Sequence, residues 1–466
     1  MRSHPREPDS PQAFPHEGTR PDFRNGTRTG ARDAGPKDPG QKDPGQKESA
    51  QKESGRDRTR PASQLPDAGN PPSVLPVQGR PAGSVPDPTR TEGDGPGGWI
   101  EALRGWRDQI LASPGFQRWA AAFPLTRPIA LRRSRQVFDL CAGFVYSQTV
   151  LALIRLDIFS LLAHGARTPE ALAEFTGVPE ERLSRLLGSA MALRLLRRTR
   201  SGAVALGPLG APLVGNEALA QLVEHNVLLY HDLADPLDIL RNGPGGTSML
   251  NRYWAYARSS DARSLSPQEV GPYSALMAAS QPLVAREVLD AFPFRRHRRL
   301  LDVGGGEGAF LEAVGRRHSH LSLTLFDLPA VAERGRERLT ESLPGNRVQV
   351  QGGDFFKDPL PEGHDLVSLV RILHDHDDDD VLRILRSVRT ALPPGGTVLV
   401  AEPMAGIRGA ETVGAAYFSL YLLAMGQGRP REPGEYRELL VRAGFRRIRS
   451  PRPRSPVLTG VITARS

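Results

Sequence analysis

The chain has 466 residues, 61 Lys+Arg against 52 Asp+Glu, 42 Pro, 48 Gly and one Cys. It is too long for one average domain, and its single Cys141 excludes an internal disulfide framework. Cys141, between Leu140 and Ala142, reads as an ordinary buried thiol of a reducing, cytoplasmic compartment.

The first segment, residues 1–98, holds 17 Pro and 14 Gly, with Phe14 and Phe23 as its only aromatics. Such a stretch cannot bury enough apolar surface to offset its chain entropy, so it is expected to be a disordered tail. Within it, GPKDP-GQKDP-GQKES-AQKES is a five-residue repeat carrying four of the five lysines, with no apolar position to stack as a solenoid would. It lacks the apolar core of a secretory signal. The tail contributes only one unit to the formal charge of +9, so the basic excess lies on the rest of the chain, where it favours anionic surfaces such as lipid or nucleic acid.

Residues 99–275 read as a helical domain. Phe138 and Val145 lie seven apart, and Val150, Ile154, Ile158 and Leu161 recur at spacings of four and three. The longest apolar tract, Phe138 to Ala163, is interrupted by Asp139, Gln148, Arg155 and Asp157, which argues against a membrane span and for a soluble protein. Thr168-Pro169-Glu170 opens a short helix, Gly177-Val178-Pro179 ends it, a second helix covers Glu180 to Leu196, and Ser201-Gly202 separates two short extended pieces. Helix, turn, helix and hairpin is a winged-helix order. Arg182, Arg185, Arg194, Arg197 and Arg198 would allow a DNA regulator, whereas Leu183, Leu186, Leu187 and Met191 claim much of the second helix for packing.

Residues 276–466 change to strand and helix alternation. Strands are expected at Leu300–Val303, Leu321–Phe326, Val348–Gln351, Leu366–Val370 and Thr397–Ala401, with helices beginning near Ala309, Pro329, Asp377 and Glu411. This spacing implies a doubly wound, mostly parallel sheet with its ligand crevice at the carboxyl ends of the strands. The first strand runs into Gly304-Gly305-Gly306-Glu307-Gly308, where side chains would block backbone approach to a nucleotide-like ligand. Asp327 ends the second strand, suited to a ribose diol, and Asp354-Phe355 ends the third, suited to adenine. The glycine loop alone leaves an NAD-dependent oxidoreductase open, with Ala309 in the sixth place. The whole series at successive strand ends fits S-adenosylmethionine, which has an adenosine but no pyrophosphate.

With Arg371-Ile372-Leu373-His374-Asp375, these motifs resemble the class I S-adenosylmethionine-dependent methyltransferases that act on small hydroxylated molecules, among them the caffeate and acetylserotonin O-methyltransferases. The resemblance covers roughly Phe138 to Ser466 and implies a Rossmann-like methyltransferase domain preceded by a helical, winged-helix-like dimerisation domain, working as a homodimer without nucleic acid. Phe123-Pro124-Leu125-Thr126-Arg127, Leu222-Val223-Glu224-His225, Arg252-Tyr253-Trp254 and Met277-Ala278-Ala279-Ser280-Gln281 further resemble the bacterial hydroxyneurosporene and demethylspheroidene O-methyltransferases of carotenoid synthesis.

The resemblance implies that Gly304, Gly306, Asp327, Asp354, Phe355 and Arg371 hold the cofactor, that His374 is the general base and that Glu402 orients it. A second glutamate of the plant members is replaced here by Pro430, leaving its role vacant or moved to Glu432. His225, Tyr253, Trp254, Tyr273, Met277 and Gln281 are expected to line the acceptor pocket, with Tyr417, Leu420, Tyr421 and Met425 as its far wall. No metal site is expected: the run Asp377 to Asp380 suits a helix N-terminus, and Val381, Leu382, Ile384, Leu385 and Val388 supply the core face. If the acceptor is lipid-dissolved, the basic body is expected to touch an anionic membrane peripherally.

Overall fold

The computed structural model describes residues 98–244, 248–253, 266–453 and 459–466. The tail expected over 1–98 lies almost wholly outside them, as does Trp254, and the side chain of Tyr273 is likewise not described.

Seven strands form one sheet: β3 (Arg299–Val303), β4 (Ser322–Asp327), β5 (Val348–Gly352), β6 (Leu366–Val370), β7 (Thr397–Glu402), β8 (Arg446–Arg449) and β9 (Gly460–Arg465). Their order is β5-β4-β3-β6-β7-β9-β8, parallel from β5 to β7, with β9 antiparallel to both β7 and β8. The five expected strands stand within a residue or two of their predicted ends. β8 and β9 had no forecast, because Arg446–Arg449 is arginine-rich and edge-exposed and so lacks an apolar signal. Leu366–Val370 is buried on both faces, which is why it reads as an unbroken apolar run rather than an alternation. One core lies on each side: Val381, Leu382, Leu385, Val388, Leu439 and Leu440 pack one face, and Val284, Val288, Phe310, Leu311 and Leu339 the other. The strand order reverses between β3 and β6, and the crevice opens there.

The helical part follows its local signals. The hydroxyl of Thr168 accepts a hydrogen bond from the Ala171 amide at the start of helix Pro169–Thr176, and Gly177, at φ 67°, ends it in the left-handed conformation. Helix Glu180–Ala192 buries Leu183, Leu187 and Ala190, and β1 (Leu196–Arg198) pairs antiparallel with β2 (Val204–Leu206). The boundary expected at residue 275 falls inside the continuous helix Pro267–Ala291.

One expectation is corrected in helix Arg127–Arg155. Cys141 is exposed rather than buried, because residues 131–141 of this helix, with Phe138 (65% exposed) and Leu140 (84%) among them, are exposed on every side. The helix also starts well before Phe138, and by length and composition it is apolar enough to cross a membrane, with a mean hydropathy of 1.7 over 18 residues.

Candidate active site

The glycine turn after β3 is built for close approach. Gly304 has φ +68°, and a Cβ there would lie 2.5 Å from Cδ1 of Ile372. The turn faces a cavity of about 470 Å³ whose walls include Gly304, Gly306, Asp327, Asp354, Phe355, Arg371 and His376. Asp327 ends β4 with one carboxylate oxygen accepting from the Gly306 amide and the other from the Leu328 amide, both at 2.7 Å. Burial raises its pKa to about 6 against those two hydrogen bonds. Asp354 accepts from the Phe356 amide at 2.9 Å, while its own N–H donates to Asp358.

On the far side of the crevice, Arg371 follows β6 with φ +60°, a strained conformation for a residue with a side chain. Its guanidinium donates to Ser280 Oγ at 2.7 Å and approaches Met277 Sδ at 2.7 Å and Gln281 Oε1 at 3.5 Å. A single turn later His374 is 4% exposed. Its Nδ1 lies 2.5 Å from Glu402 Oε2 and its Nε2 3.0 Å from Asp375 Oδ1. Glu402, at the end of β7, is fully buried, and its other oxygen accepts from the amides of Ile372 (3.0 Å) and Leu373 (2.7 Å). Burial works against an imidazolium here, but the Asp375 and Glu402 carboxylates outweigh it, so the His374 pKa stands above its ordinary value. Burial pushes Asp375 up to about 6. A histidine held between two carboxylates, oriented by a carboxylate that is itself pinned by two amides, is arranged to take and pass on a proton.

The residues expected at the acceptor pocket divide into two groups. Met277 and Gln281 line the cavity beside Arg371. His225 and Tyr253 sit apart from them in an aromatic group: His225 Nε2 is 2.8 Å from Tyr421 Oη, Tyr253 packs 5.3 Å from the His225 ring, and Tyr417 stacks on Tyr421. Burial lowers the His225 pKa to about 4, so this histidine is neutral. Phe418 joins the aromatic group to His374, packing on Tyr421 and edge-on to the His374 ring. Of the expected far wall, Met425 is core and Leu420 is 38% exposed.

Glu432 does not reach His374. It is exposed at the start of helix Pro433–Arg442, where its N–H donates to Glu435, because Pro433 begins the helix immediately after it. The second carboxylate beside the imidazole is the neighbouring Asp375, which the sequence offered only as the letter after His374. Among the described residues no cluster of three or more His, Cys, Asp or Glu is placed to hold a metal ion. In the acidic run, Asp378 pairs with Arg429 and Arg431, and Asp380 with Arg383.

Two family models match the chain, an O-methyltransferase dimerisation domain over residues 138–223 and an O-methyltransferase domain over residues 230–446. The chain belongs to the O-methyltransferase family. It is 42% identical over 357 residues to a demethylspheroidene O-methyltransferase of Cereibacter sphaeroides, covering 76% of this chain and 93% of that one. An enzyme of the same name from Rhodobacter capsulatus is 38% identical over 73% of this chain and 84% of its own. Among solved structures, human N-acetylserotonin methyltransferase in complex with S-adenosylmethionine superposes with a TM-score of 0.60 at 26% identity, covering 72% of this chain and 97% of that one.

The protein is therefore an S-adenosylmethionine-dependent O-methyltransferase with a Rossmann-like catalytic domain and a helical dimerisation domain. The winged-helix order falls within the dimerisation domain, and the catalytic domain is that of an O-methyltransferase rather than of an NAD-dependent oxidoreductase. The exposed apolar side chains of Phe138, Leu140 and Phe144 in helix Arg127–Arg155 lie within the dimerisation match.

The site fits that cofactor. A turn left bare of side chains at Gly304 and Gly306, a strand-end carboxylate at Asp327 for a diol, and Asp354 with the Phe355 ring for a purine all open onto one cavity.

Proposed function

We propose that this enzyme methylates the 1-hydroxyl of an acyclic carotenoid such as hydroxyneurosporene or demethylspheroidene, with His374 as general base. The observation that carries the chemistry is the buried His374 between Glu402 and Asp375, with Asp375 itself lining the cofactor cavity. The two relatives named for demethylspheroidene support the acceptor.

In this reading Gly304 and Gly306 let the backbone approach the cofactor, Asp327 accepts from its ribose, and Asp354 and Phe355 hold its adenine. Arg371 lies beside its amino-acid end. When bound, the cofactor supplies a methyl group on a sulfonium. Met277 and Gln281, joined to Arg371, hold the acceptor against the cofactor, while His225 and Tyr253 form the deeper wall. Glu402 fixes the tautomer of His374 by accepting from Nδ1, which leaves Nε2 to take the hydroxyl proton as the acceptor oxygen becomes cationic. A tertiary alcohol is far less acidic than a phenol, so this transfer comes late. Asp375, facing Nε2, is displaced by the acceptor or receives the proton in turn.

A second reading, a phenolic or polyketide acceptor, is favoured by the aromatic group of Tyr417, Tyr421, Tyr253 and neutral His225, which suits a flat ring with polar substituents. Incubation with methyl-labelled cofactor and a panel of 1-hydroxy carotenoids, naphthols and phenols separates the two. Labelled 1-methoxy carotenoid is the expected product, and label confined to phenols overturns the carotenoid reading. We place the enzyme in the cytoplasm, touching the inner membrane peripherally through its net positive charge and exposed aromatic residues such as Trp119. Failure to float with anionic liposomes at low salt removes that contact.

A further inference from the structure

Arg431 is the largest fully buried side chain described, with 0% exposure. A guanidinium in such a place needs acceptors for all its donors. Two of its acceptors are main-chain carbonyls of the turn that carries His374: Nη1 donates to Leu373 O at 2.8 Å and Nη2 to His376 O at 2.6 Å. Its Nε donates to Asp378 Oδ1 at 2.8 Å, at the start of the following helix. The turn is thus gripped from two sides, its Ile372 and Leu373 amides by the buried Glu402 anion and its Leu373 and His376 carbonyls by a buried cation. The segment bearing Arg431 runs backbone to backbone along this turn. The Arg429 amide donates to His374 O at 2.9 Å, and Gly428, at φ +74°, leaves no room for a Cβ, which would collide with the His374 carbonyl.

We propose that Arg431 is a positioning residue for methyl transfer, holding the 372–376 turn by its carbonyls so that the His374 ring stays seated on Glu402. The proposal rests on His374 as the base. Lysine cannot replace it, because an ammonium lacks the planar fork that reaches two carbonyls and a carboxylate at once. The strained φ of +60° at Arg371 shows why a grip is needed: the backbone entering the turn is not in a low-energy conformation.

The test uses the full chain and the Arg431→Lys variant. A misplacement of the order of 1 Å in a catalytic group costs about 10²-fold in rate. The expected result is a fall in kcat of that order, with the affinity for S-adenosylhomocysteine, measured by calorimetry, within about threefold of wild type. The acid limb of the kcat–pH profile should also move to lower pH. The groups facing the imidazole are Glu402, Asp375, Arg371 and the neighbouring His376. Drawing the ring away from Glu402 weakens the interaction that lifts its pKa. An unchanged kcat and acid limb in a folded variant overturn the proposal, as does a loss of homocysteine-ligand affinity in proportion to kcat. If Arg431→Lys does not fold, Asp378→Asn loosens the same guanidinium at a half-exposed partner, and it must move kcat and the limb in the same directions or the proposal fails. His374→Ala distinguishes the layers: full turnover there sinks the base itself, whereas an inactive His374→Ala beside a normal Arg431→Lys sinks only the grip.

Discussion

The catalytic sheet and the amino-terminal helices answer the same physical demand differently. In the central strands β6 and β7 burial is complete on both faces, and the charged residues there and against the turn that follows β6 are held: Glu402 has three donors, Arg431 has two carbonyls and Asp378. In helix Arg127–Arg155 only Thr149, Leu151 and Leu153 are buried, while Phe138, Leu140 and Phe144 face outward. A contiguous exposed apolar face of this kind needs a partner surface. The catalytic sheet meets its apolar surface and its buried charges with partners from the same chain, whereas this helix leaves apolar side chains uncovered within the dimerisation match.

The sharpest division between the two regions comes from His374→Ala, which should lower methyl transfer by about 10³-fold. Binding of S-adenosylhomocysteine and the dimer should both survive; comparable turnover in the variant would mean that proximity of acceptor and donor suffices. The converse variant, Leu140→Asp with Phe144→Asp, should weaken dimerisation by about 10²-fold, because buried aromatic anchors carry most of an interface's energy. Light scattering across a dilution series measures this, and an unperturbed dimer would move the interface off this face.

A smaller effect separates the buried charges of the sheet from the helices. Asp302 is 1% exposed, accepts from Ser368 Oγ at 2.5 Å and has its pKa raised by burial to about 7, the nearby Asp327 adding to the rise. Since the folded protein holds this proton and the unfolded chain, near pH 3.9, does not, stability should fall as pH rises from about 4 through 7. Asp365 and Asp378, whose pKa values are lowered, act in the opposite sense and only in more acidic solution. His225 and His376, whose pKa values burial lowers to about 4, act in the opposite sense within this window, so the expected outcome is a difference: between pH 5.5 and 8 the melting temperature of the wild type without cofactor should fall by a few degrees relative to that of Asp302→Asn. A slope unchanged in the variant would assign it to Asp327 and Asp375 instead.

What could be read along the chain was whatever neighbours in sequence decide. The strand from Leu366 to Val370, the turn from Gly304 to Gly308 and the Thr168 cap each depend on a few consecutive residues, so their types announced them. The motif at residues 371–375 likewise announced His374, and Glu402 followed as the last residue of an apolar strand. The solvent exposure of Cys141 could not be read, because helical periodicity tells which residues share a face but not whether that face meets a core or a second molecule.

The arginine that grips the catalytic turn was equally hidden. Arg431 lies 57 residues from His374, among other arginines of identical composition, and only the packing of the Gly428–Arg431 segment against the turn buries its guanidinium. The sequence by itself determined the strands, the glycine cradle, the strand-end carboxylates and the histidine, since these follow from local sterics and apolar patterning. The tertiary structure alone decided that Asp375 rather than Glu432 stands beside the imidazole. It also decided which of many arginines is buried and which apolar face is left for a partner. Burial and charge pairing depend on what the chain brings back from a distance.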